Sequence, residues 1–213
     1  IVTVVDGAQY TPHFQVDVKD LDCDFYAFSG HKMLSYMGIG ILYGKEDILN
    51  SIPPFLYGGE MIEYVTEQKS SFLFSPRRFE AGTVDVGGAK SLHRSIQYMQ
   101  DIGLEEIEEY ERALTNYAYD KIVDLGFLDV YTPNTEDRAP LVNFNFAEIH
   151  PHDVSTILYS KGVAIRSGHH CTQPLHRYLQ VNSTCRASFS FYNTFEEIDY
   201  FVDQLKEVRK VMG

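Results

Sequence analysis

The sequence predicts an α/β fold, with an incomplete α/β domain over residues 1–95 and a smaller α+β domain over residues 96–213. In the first part, short runs of β-branched and aromatic residues alternate with turns, as they do in an α/β sheet. In the second part, two long helical patterns lead into an alternation of short strands and helices. The 213 residues, 44% of them hydrophobic, suffice for one large core or two small ones.

The chain opens directly on an apolar run, Ile1-Val2-Thr3-Val4-Val5-Asp6, which has the composition of a buried strand. A natural domain seldom begins in the middle of its core. We therefore expect these residues to belong to a longer protein, with the N-terminal half of the first domain lying outside them.

The first domain is predicted to contain three strands, Val2–Val5, Phe25–Phe28 and Gly40–Tyr43. The segment from Asn50 to Thr83 is rich in Gly, Pro and aromatic residues and shows no clear periodicity. Connections of this length are usually functional or mobile, so we predict irregular structure there.

Helical periodicity over Gly88–Asp101 and Leu104–Leu125 predicts two helices at the junction of the domains. The last helix has a strong start signal, because Thr194 can cap it and acidic residues fill its first turn. The other predicted elements of the second domain are the strands Leu128–Tyr131, Leu141–Phe146, Val163–Arg166 and Arg186–Phe191 and the helices Asp153–Lys161, Pro174–Leu179 and Phe195–Met212.

Charge and cysteine usage exclude several classes of function. The formal charge is −12, from 18 Lys and Arg against 30 Asp and Glu, which disfavours binding to nucleic acid or to an anionic membrane. No apolar run approaches the ~20 residues of a membrane span, and no signal-peptide pattern is present. Three cysteines without a disulfide-framework spacing indicate free thiols in a reducing cytosol, so we predict a cytoplasmic protein.

A first candidate site follows the first predicted strand. Asp6 stands at its carboxyl end, where open α/β sheets bind ligands, and Gly7 permits a tight turn there. A carboxylate in this place could hold a protonated ring nitrogen, as an aspartate does for pyridoxal phosphate. Taken alone, a plain strand-terminating turn is the simpler interpretation.

A second candidate site follows the second predicted strand, where Lys32 comes after Ser29, Gly30 and His31. A lysine held against apolar walls has its charged form disfavoured, which suits it to Schiff-base chemistry. Ser29 and His31 could donate hydrogen bonds to a phosphate. The alternative is a solvated surface lysine.

The third candidate is the segment Arg166-Ser167-Gly168-His169-His170-Cys171. We expect its histidines and arginine to create an electropositive setting that favours a thiolate. A structural loop cysteine, a metal site and a Cys–His hydrolase are alternatives, although adjacent histidines rarely point at one ion and no metal is predicted. The other cysteines, Cys23 and Cys185, are interpreted as packing residues.

Arg186 begins a predicted strand shortly after this segment. Its planar fork matches a carboxylate with two hydrogen bonds, which an α-amino acid substrate would need. A surface ion pair is the alternative interpretation.

Six motifs occur in order along essentially the whole chain: Val5-Asp6-Gly7-Ala8-Gln9, Leu21-Asp22-Cys23-Asp24-Phe25-Tyr26, Phe28-Ser29-Gly30-His31-Lys32, Arg78-Phe79-Glu80-Ala81-Gly82-Thr83, Arg166-Ser167-Gly168-His169-His170-Cys171 and Cys185-Arg186-Ala187-Ser188. In sequence and spacing they resemble the class V aminotransferase family, and within it the SufS-type cysteine desulfurases. The resemblance implies the C-terminal half of the large aminotransferase-like domain followed by the small C-terminal domain.

The resemblance also implies pyridoxal 5'-phosphate as cofactor. Lys32 would bind it covalently, Asp6 would pair with its ring nitrogen and Gln9 would contact its ring oxygen. Ser29 and His31 would bind its phosphate. One departure concerns the stretch after the lysine, where Ser35-Tyr36-Met37 replaces the Gly-Pro-Thr-like stretch of the family.

For the substrate, the resemblance implies L-cysteine, from which Cys171 would take the sulfur as a persulfide and release alanine for iron–sulfur cluster assembly. Arg186 would clamp the substrate carboxylate and Arg166 would line its pocket. A homodimer is implied, in which Thr83 would reach the phosphate bound by the neighbouring subunit.

A sulfur acceptor of the SufU or SufE type is the implied partner, and in SufU-served enzymes a histidine at the position of His152 can ligate the partner's zinc. The alternative is that His152 is a helix-start histidine beside Asp153, which would be the N-cap. Two alternatives remain for the whole chain: a selenocysteine lyase or cysteine sulfinate desulfinase, and an inactive fragment that keeps only dimer or partner-binding surfaces.

Overall fold

The computed structural model describes residues 1–135 and 138–212 of the chain. By compactness the chain divides into two units, Ile1–Leu104 and Glu105–Gly213. Both units combine helices with β-sheet, so the predicted α/β class is confirmed. The predicted boundary between residues 95 and 96 falls inside a continuous helix, and the division lies just after the end of that helix. The interpretation of unit 1 as a partial large domain stays a prediction.

Unit 1 is built on a three-stranded mixed sheet in the order β1-β2-β3. Strand β1 (Val4–Asp6) runs parallel to β2 (Phe25–Ser29), and β2 pairs antiparallel with β3 (Gly40–Gly44). All three coincide with predicted strands apart from small shifts at their ends. Asp6 pairs with Ala27, so the carboxyl ends of β1 and β2 lie side by side.

The segment from Asn50 to Thr83 is more regular than predicted. Helix α1 (Glu46–Ser51) runs into it, and it contains a β-hairpin of β4 (Ile62–Val65) with β5 (Ser70–Phe72) and a 3-10 helix at Arg77–Phe79. The whole of β4 is exposed, so the hairpin lacks the alternation of buried and exposed residues by which a strand is detected in a sequence.

Helix α2 (Val86–Ile102) closes unit 1. Its N-cap is Asp85, whose Oδ1 accepts a hydrogen bond from the backbone N–H of Gly88 at 2.8 Å. A side chain at Gly88 would collide with this cap, since a Cβ there would lie 2.4 Å from Asp85 Oδ2.

Unit 2 is built on a four-stranded antiparallel sheet in the order β6-β7-β9-β8. The helices that accompany it include α6, which begins with a reciprocal capping box: Thr194 Oγ1 accepts from the N–H of Glu197 at 3.2 Å, and Glu197 Oε2 accepts from the N–H of Thr194 at 3.1 Å. The predicted cap at Thr194 is therefore confirmed. The elements of this part of the chain are β6 (Leu128–Val130), β7 (Leu141–Phe146), β8 (Arg166–Gly168), β9 (Thr184–Ser188), α3 (Leu104–Asp124), α4 (Pro151–Ser160), α5 (Gln173–Tyr178) and α6 (Phe195–Met212).

Two strands of unit 2 differ from the prediction. Strand β8 was predicted at Val163–Arg166, but the N–H of Val163 donates to Leu158 O at 3.0 Å and so completes the C-terminus of α4. Strand β9 ends before Phe191, because the N–H of that residue donates to the buried carboxylate of Glu111 at 3.0 Å. The sequence around Val163 and around Phe191 has the side-chain pattern of a strand. In the structure, however, the backbone N–H of each residue donates to a helix residue and not to a neighbouring strand.

The sheet of unit 2 has one apolar face and one polar face. Val142, Phe144 and Cys185 lie in the hydrophobic core with residues of α3, α4 and α6. Side chains alternate along a strand, so the neighbouring Asn143 and Arg186 face the opposite side. This alternation places the polar candidate residues together.

Within the described residues, no helix is both long enough and apolar enough to cross a membrane. The three cysteines are free, as predicted; Cys23 and Cys185 are buried and Cys171 is exposed. Burial raises the pKa of the Cys185 thiol to about 12, so this thiol stays protonated and unreactive at neutral pH.

Candidate active site

In unit 1 the candidate residues lie beyond the carboxyl ends of β1 and β2. Asp6 Oδ1 accepts a hydrogen bond from the N–H of Ala8 at 2.9 Å. This oxygen therefore stabilises the turn that ends the strand, as the simpler interpretation of Asp6 expects. The other oxygen, Oδ2, receives no hydrogen bond from a described residue. Gly7 is required in the turn because a Cβ would lie 2.0 Å from the Tyr26 hydroxyl. Gln9 follows in the same turn and is exposed.

Lys32 lies in a 3-10 helix, Gly30–Met33, directly after β2. Its side chain is exposed and forms no hydrogen bond or ion pair with a described residue. The described residues leave this amine exposed, and the expected apolar walls around it stay a prediction. An uncommitted amine at the end of a strand still meets the requirement for Schiff-base attachment of a carbonyl cofactor.

Ser29, His31 and Thr83 are the candidate phosphate ligands of unit 1. Ser29 is the N-cap of the 3-10 helix, but its side chain makes no capping hydrogen bond. His31 and Thr83 are exposed, and neither engages a described residue. All three side chains remain available as donors.

The unusual stretch that follows Lys32 is tied to the start of α2. Ser35 Oγ donates to Ser91 Oγ at 3.0 Å, and the Tyr36 hydroxyl donates to Asp85 Oδ2 at 2.6 Å. The second bond raises the pKa of Tyr36 and lowers that of Asp85. The departure from the family pattern thus brings its own anchor for the segment after the lysine.

The donor set of unit 1 fits pyridoxal phosphate. An amine, a carboxylate and two phosphate-binding donors follow the ends of two adjacent parallel strands, and none of these side chains is committed to another described side chain. An amine can bind the carbonyl carbon, a carboxylate can stabilise a protonated ring nitrogen, and hydroxyl and imidazole donors can bind a phosphate. The residues in question are Lys32, Asp6, Ser29 and His31.

In unit 2 three polar residues lie in a row across the sheet. Asn143, Arg186 and Arg166 are directly opposed on β7, β9 and β8, so their side chains share one face. Arg186 is half-buried and forms no hydrogen bond or ion pair with a described residue, and its Nε is buried without an acceptor. Its burial and the charge of Arg166 lower the pKa of Arg186. A half-buried guanidinium without a counter-ion is suited to bind a carboxylate.

Asn143 is a member of this row that the sequence analysis did not identify. Its Oδ1 is buried and lacks a donor, like the Nε of the opposed Arg186. The available signal was its place in β7, where an asparagine alternates with core residues.

Cys171 lies at the end of the row, three residues beyond β8. Its thiol is exposed, and Arg166 Nη2 donates to its sulfur at a distance of 3.7 Å. His170 and Cys171 both adopt left-handed backbone conformations, with φ of 51° and 64°. The structure thus brings Cys171 and Arg166 into contact and places Arg186 opposite Arg166 on the neighbouring strand.

The expected positive charge of the histidines is wrong for His170. Its pKa is lowered to about 4, first by burial and then by the charges of Arg186 and Arg166. The ring is therefore neutral at pH 7. The positive charge beside Cys171 comes from the two arginines.

His176 is a second residue that sequence reasoning missed. It lies on α5 with only 4% of its surface exposed, and its two ring nitrogens lie 3.1 Å from Thr172 O and 3.2 Å from Thr184 Oγ1. The signal available in the sequence was that His176 is a polar residue on the short helix that follows Cys171.

His152, the candidate partner residue, lies in the first turn of α4 and is exposed. The N-cap of this helix is His150, whose Nδ1 accepts from the N–H of His152 at 3.2 Å, so Asp153 is a first-turn residue and not the cap. The Nδ1 atom of His152 lies 3.1 Å from the Ser167 hydroxyl on β8. No three His, Cys, Asp or Glu side chains are grouped to bind a metal ion within residues 1–135 and 138–212.

The chain matches the class V aminotransferase family over residues 1–201, and it belongs to this family. Members of the family are pyridoxal-phosphate-dependent enzymes, and the donor set of unit 1 agrees with this cofactor.

The curated relatives of the chain are named as desulfurases. A probable cysteine desulfurase from Staphylococcus epidermidis is 46% identical over 209 residues, which are 98% of this chain and 51% of the relative. A probable cysteine desulfurase from Halobacterium salinarum is 50% identical over 209 residues, 98% of this chain and 50% of the relative. The chain spans about half the length of these relatives.

Solved structures similar to this chain are also named as cysteine desulfurases. A cysteine desulfurase from Thermococcus onnurineus in its apo form has a TM-score of 0.95 at 40% identity, covering 99% of this chain and 53% of that structure. The cysteine desulfurase CsdA from Escherichia coli, in an S-sulfonic acid form, has a TM-score of 0.95 at 36% identity, covering 100% of this chain and 53% of that structure.

The depressed pKa of His170 predicts a pH-dependent loss of stability. Between the ordinary pKa of about 6.5 and the folded value of about 4, the unfolded chain binds a proton on this ring that the folded chain does not. The contribution to stability is therefore full above pH 6.5 and is lost as the pH falls towards 4. Urea unfolding at about pH 7 and about pH 4.5 should show a smaller loss of unfolding free energy in His170→Gln than in the parent chain. An identical loss in both would contradict the depressed pKa.

Proposed function

We propose that the protein to which this chain belongs is a pyridoxal-phosphate-dependent cysteine desulfurase, which converts L-cysteine to L-alanine and retains the sulfur on Cys171. The observation that carries the proposal is the exposed Cys171 thiol beside Arg166, in a row with a half-buried Arg186 that has no counter-ion among the described residues. The names of the relatives favour cysteine as the substrate over selenocysteine or cysteine sulfinate.

The residues of unit 1 would hold the cofactor. Lys32 would attach it, Asp6 would keep its ring nitrogen protonated, and Gln9 would contact its ring oxygen. Ser29 and His31 would bind its phosphate. When bound, pyridoxal phosphate withdraws electrons from the α-carbon of an amino acid. The amine of Lys32, uncommitted in the structure, is suited to accept and return protons.

The residues of unit 2 would hold and cleave the substrate. Arg186 would bind the carboxylate through its guanidinium, with Arg166 beside it on the same sheet face. Their charges favour a thiolate on Cys171, which is the nucleophilic form. The thiolate attacks the substrate sulfur, a sulfur–sulfur bond forms, and the carbon–sulfur bond breaks. Its electron pair stays with the carbon, which takes a proton and becomes the methyl group of alanine.

The finer assignments are part of the same proposal. They comprise a cytoplasmic homodimer, in which the exposed Thr83 reaches the phosphate bound by the neighbouring subunit, and a role in iron–sulfur cluster assembly through a sulfur acceptor of the SufU or SufE type. His152 supports a SufU-type acceptor, because it is exposed and its Nδ1 already contacts Ser167, which leaves Nε2 as the ring nitrogen for an external ligand.

For Lys32 we expect that borohydride reduction of the protein loaded with pyridoxal phosphate fixes the cofactor on this residue. Mass spectrometry of the digested protein should locate the adduct on the Lys32 peptide, and Lys32→Ala should abolish it because the amine is lost. Lys90, an exposed lysine on α2, provides the control variant Lys90→Ala, which should keep the adduct. An adduct that survives in Lys32→Ala would refute the cofactor assignment.

For Cys171 we expect Cys171→Ser to lose at least ~100-fold in sulfide release from L-cysteine, since a hydroxyl is a poor nucleophile towards sulfur at neutral pH. Alanine formation and sulfide release in the protein that contains this chain are the measurements. Cys185→Ala is the control, because that thiol is buried and protonated. Native turnover in Cys171→Ser would rule out the persulfide role.

For His152 we expect His152→Ala to lose stimulation by a zinc-binding acceptor of the SufU type while it keeps its basal desulfuration rate. The exposed Tyr159 on the same helix provides the control Tyr159→Ala, which should respond to the acceptor like the parent protein. Full stimulation of His152→Ala would contradict the partner assignment.

A further inference from the structure

We propose that Thr184 and His176 are positioning residues for Cys171, acting through a buried chain of hydrogen bonds with a fixed direction that ends on His170. The proposal rests on the proposed function in one respect, namely that Cys171 is the nucleophile. The chain of bonds itself is a property of unit 2 and needs neither cofactor nor substrate.

Three side chains and two backbone carbonyls form this chain. His170 Nε2 lies 3.0 Å from both the carbonyl oxygen and Oγ1 of Thr184. Thr184 Oγ1 lies 3.2 Å from His176 Nε2, and His176 Nδ1 lies 3.1 Å from the carbonyl oxygen of Thr172. Thr184 and His176 are buried, so water does not compete for these bonds.

The two carbonyl groups fix the direction of every proton in the chain. A carbonyl oxygen only accepts, so His170 carries its proton on Nε2 and His176 carries its proton on Nδ1. In a neutral imidazole His176 Nε2 is then the acceptor, and it receives the hydroxyl proton of Thr184. The opposite tautomer of either ring would bring a lone pair against a carbonyl oxygen. The Thr184 hydroxyl lies within hydrogen-bonding distance of both rings and so can link them in this way.

The backbone around Cys171 needs such a restraint. His170 and Cys171 are consecutive non-glycine residues with left-handed φ, a conformation that L-residues avoid. The loop has a local closure, since Thr172 donates from both its N–H and its Oγ1 to His169 O at 2.8 Å. The His170 ring connects the left-handed pair to the body of the sheet by its bonds to Thr184 on β9, beside the longer contact of the Cys171 sulfur with Arg166 on β8.

The consequence for chemistry is the position of the thiol. With the His170 ring attached to β9, Cys171 lies within reach of Arg166 Nη2, whose charge favours the thiolate. Without the Thr184 hydroxyl, His176 loses its donor and the His170 ring loses one of its two acceptors. We expect the left-handed pair to relax and the sulfur to leave the guanidinium.

The first test is spectroscopic and measures the tautomers directly. In ¹⁵N-histidine-labelled protein, long-range proton–nitrogen correlation spectra at about pH 7 should show His170 as the Nε2–H tautomer and His176 as the Nδ1–H tautomer. The signals are assigned by their loss in His170→Gln and His176→Phe. The reverse tautomer on either ring would overturn the proposal.

The second test measures the reactivity of Cys171. The rate of its alkylation by iodoacetamide, followed by mass spectrometry of the Cys171 peptide, should fall by roughly threefold to tenfold in Thr184→Val and His176→Phe. Thr184→Ser restores the hydroxyl and should react like the parent protein. Leu175→Ala, an exposed change on the same short helix, is the matched control and should also react normally.

A purely structural role has a different outcome. In that case Thr184→Val lowers the unfolding temperature but leaves the alkylation rate of Cys171 unchanged, which overturns the proposal. Both readouts are independent of turnover, so they stand even if the protein fails to desulfurate cysteine. Loss of activity with intact tautomers and alkylation would refute the proposed function and leave the positioning role in place.

Discussion

The register between β7 and β9 is the constraint on which unit 2 depends. It pairs Asn143 with Arg186 and Val142 with Ala187, and side chains alternate between the faces of a sheet. A shift of one residue would place the Arg186 guanidinium in the hydrophobic core and expose the core residues. The stability of the core and the position of the row formed by Asn143, Arg186 and Arg166 are therefore consequences of one set of backbone hydrogen bonds.

The charges near Cys171 come from residues that do not change protonation near neutral pH. Arginine keeps its proton even with a lowered pKa, whereas a histidine in the same place loses charge on burial, as His170 does. The guanidinium groups can thus provide a constant positive field, and the His170 imidazole can serve as a neutral hydrogen-bonding group. The two residue types have separate roles, although both are basic in the sequence.

Much of the molecule follows from local sequence signals. Strand β7 and helix α6 have their predicted bounds, because alternation in the one and a Thr-x-x-Glu start in the other are local patterns. The sequence also named Cys171, Arg166 and Arg186 as candidate residues, and the roles that the family resemblance implies for them stay predictions. Two features were predicted wrongly because they depend on non-local interactions. The hairpin of β4 and β5 was missed because β4 is exposed throughout and so lacks alternating buried and exposed residues. The positive charge expected on His170 is absent because burial and the charges of Arg186 and Arg166 lower its pKa. Asn143 and His176 acquire their roles only through register and burial.

Strand β8 is an edge strand, and it carries Arg166 and leads to Cys171. An open edge exposes backbone donors and acceptors to which a strand from another molecule could add. Here the edge is only three residues long and ends at Gly168, whose φ of 128° turns the backbone away from an extended course. The free edge of β8 is therefore too short to form a stable set of backbone hydrogen bonds with a strand of another molecule. The loop that contains Cys171 can therefore lie at an exposed edge of the sheet without making that edge a site of edge-to-edge aggregation.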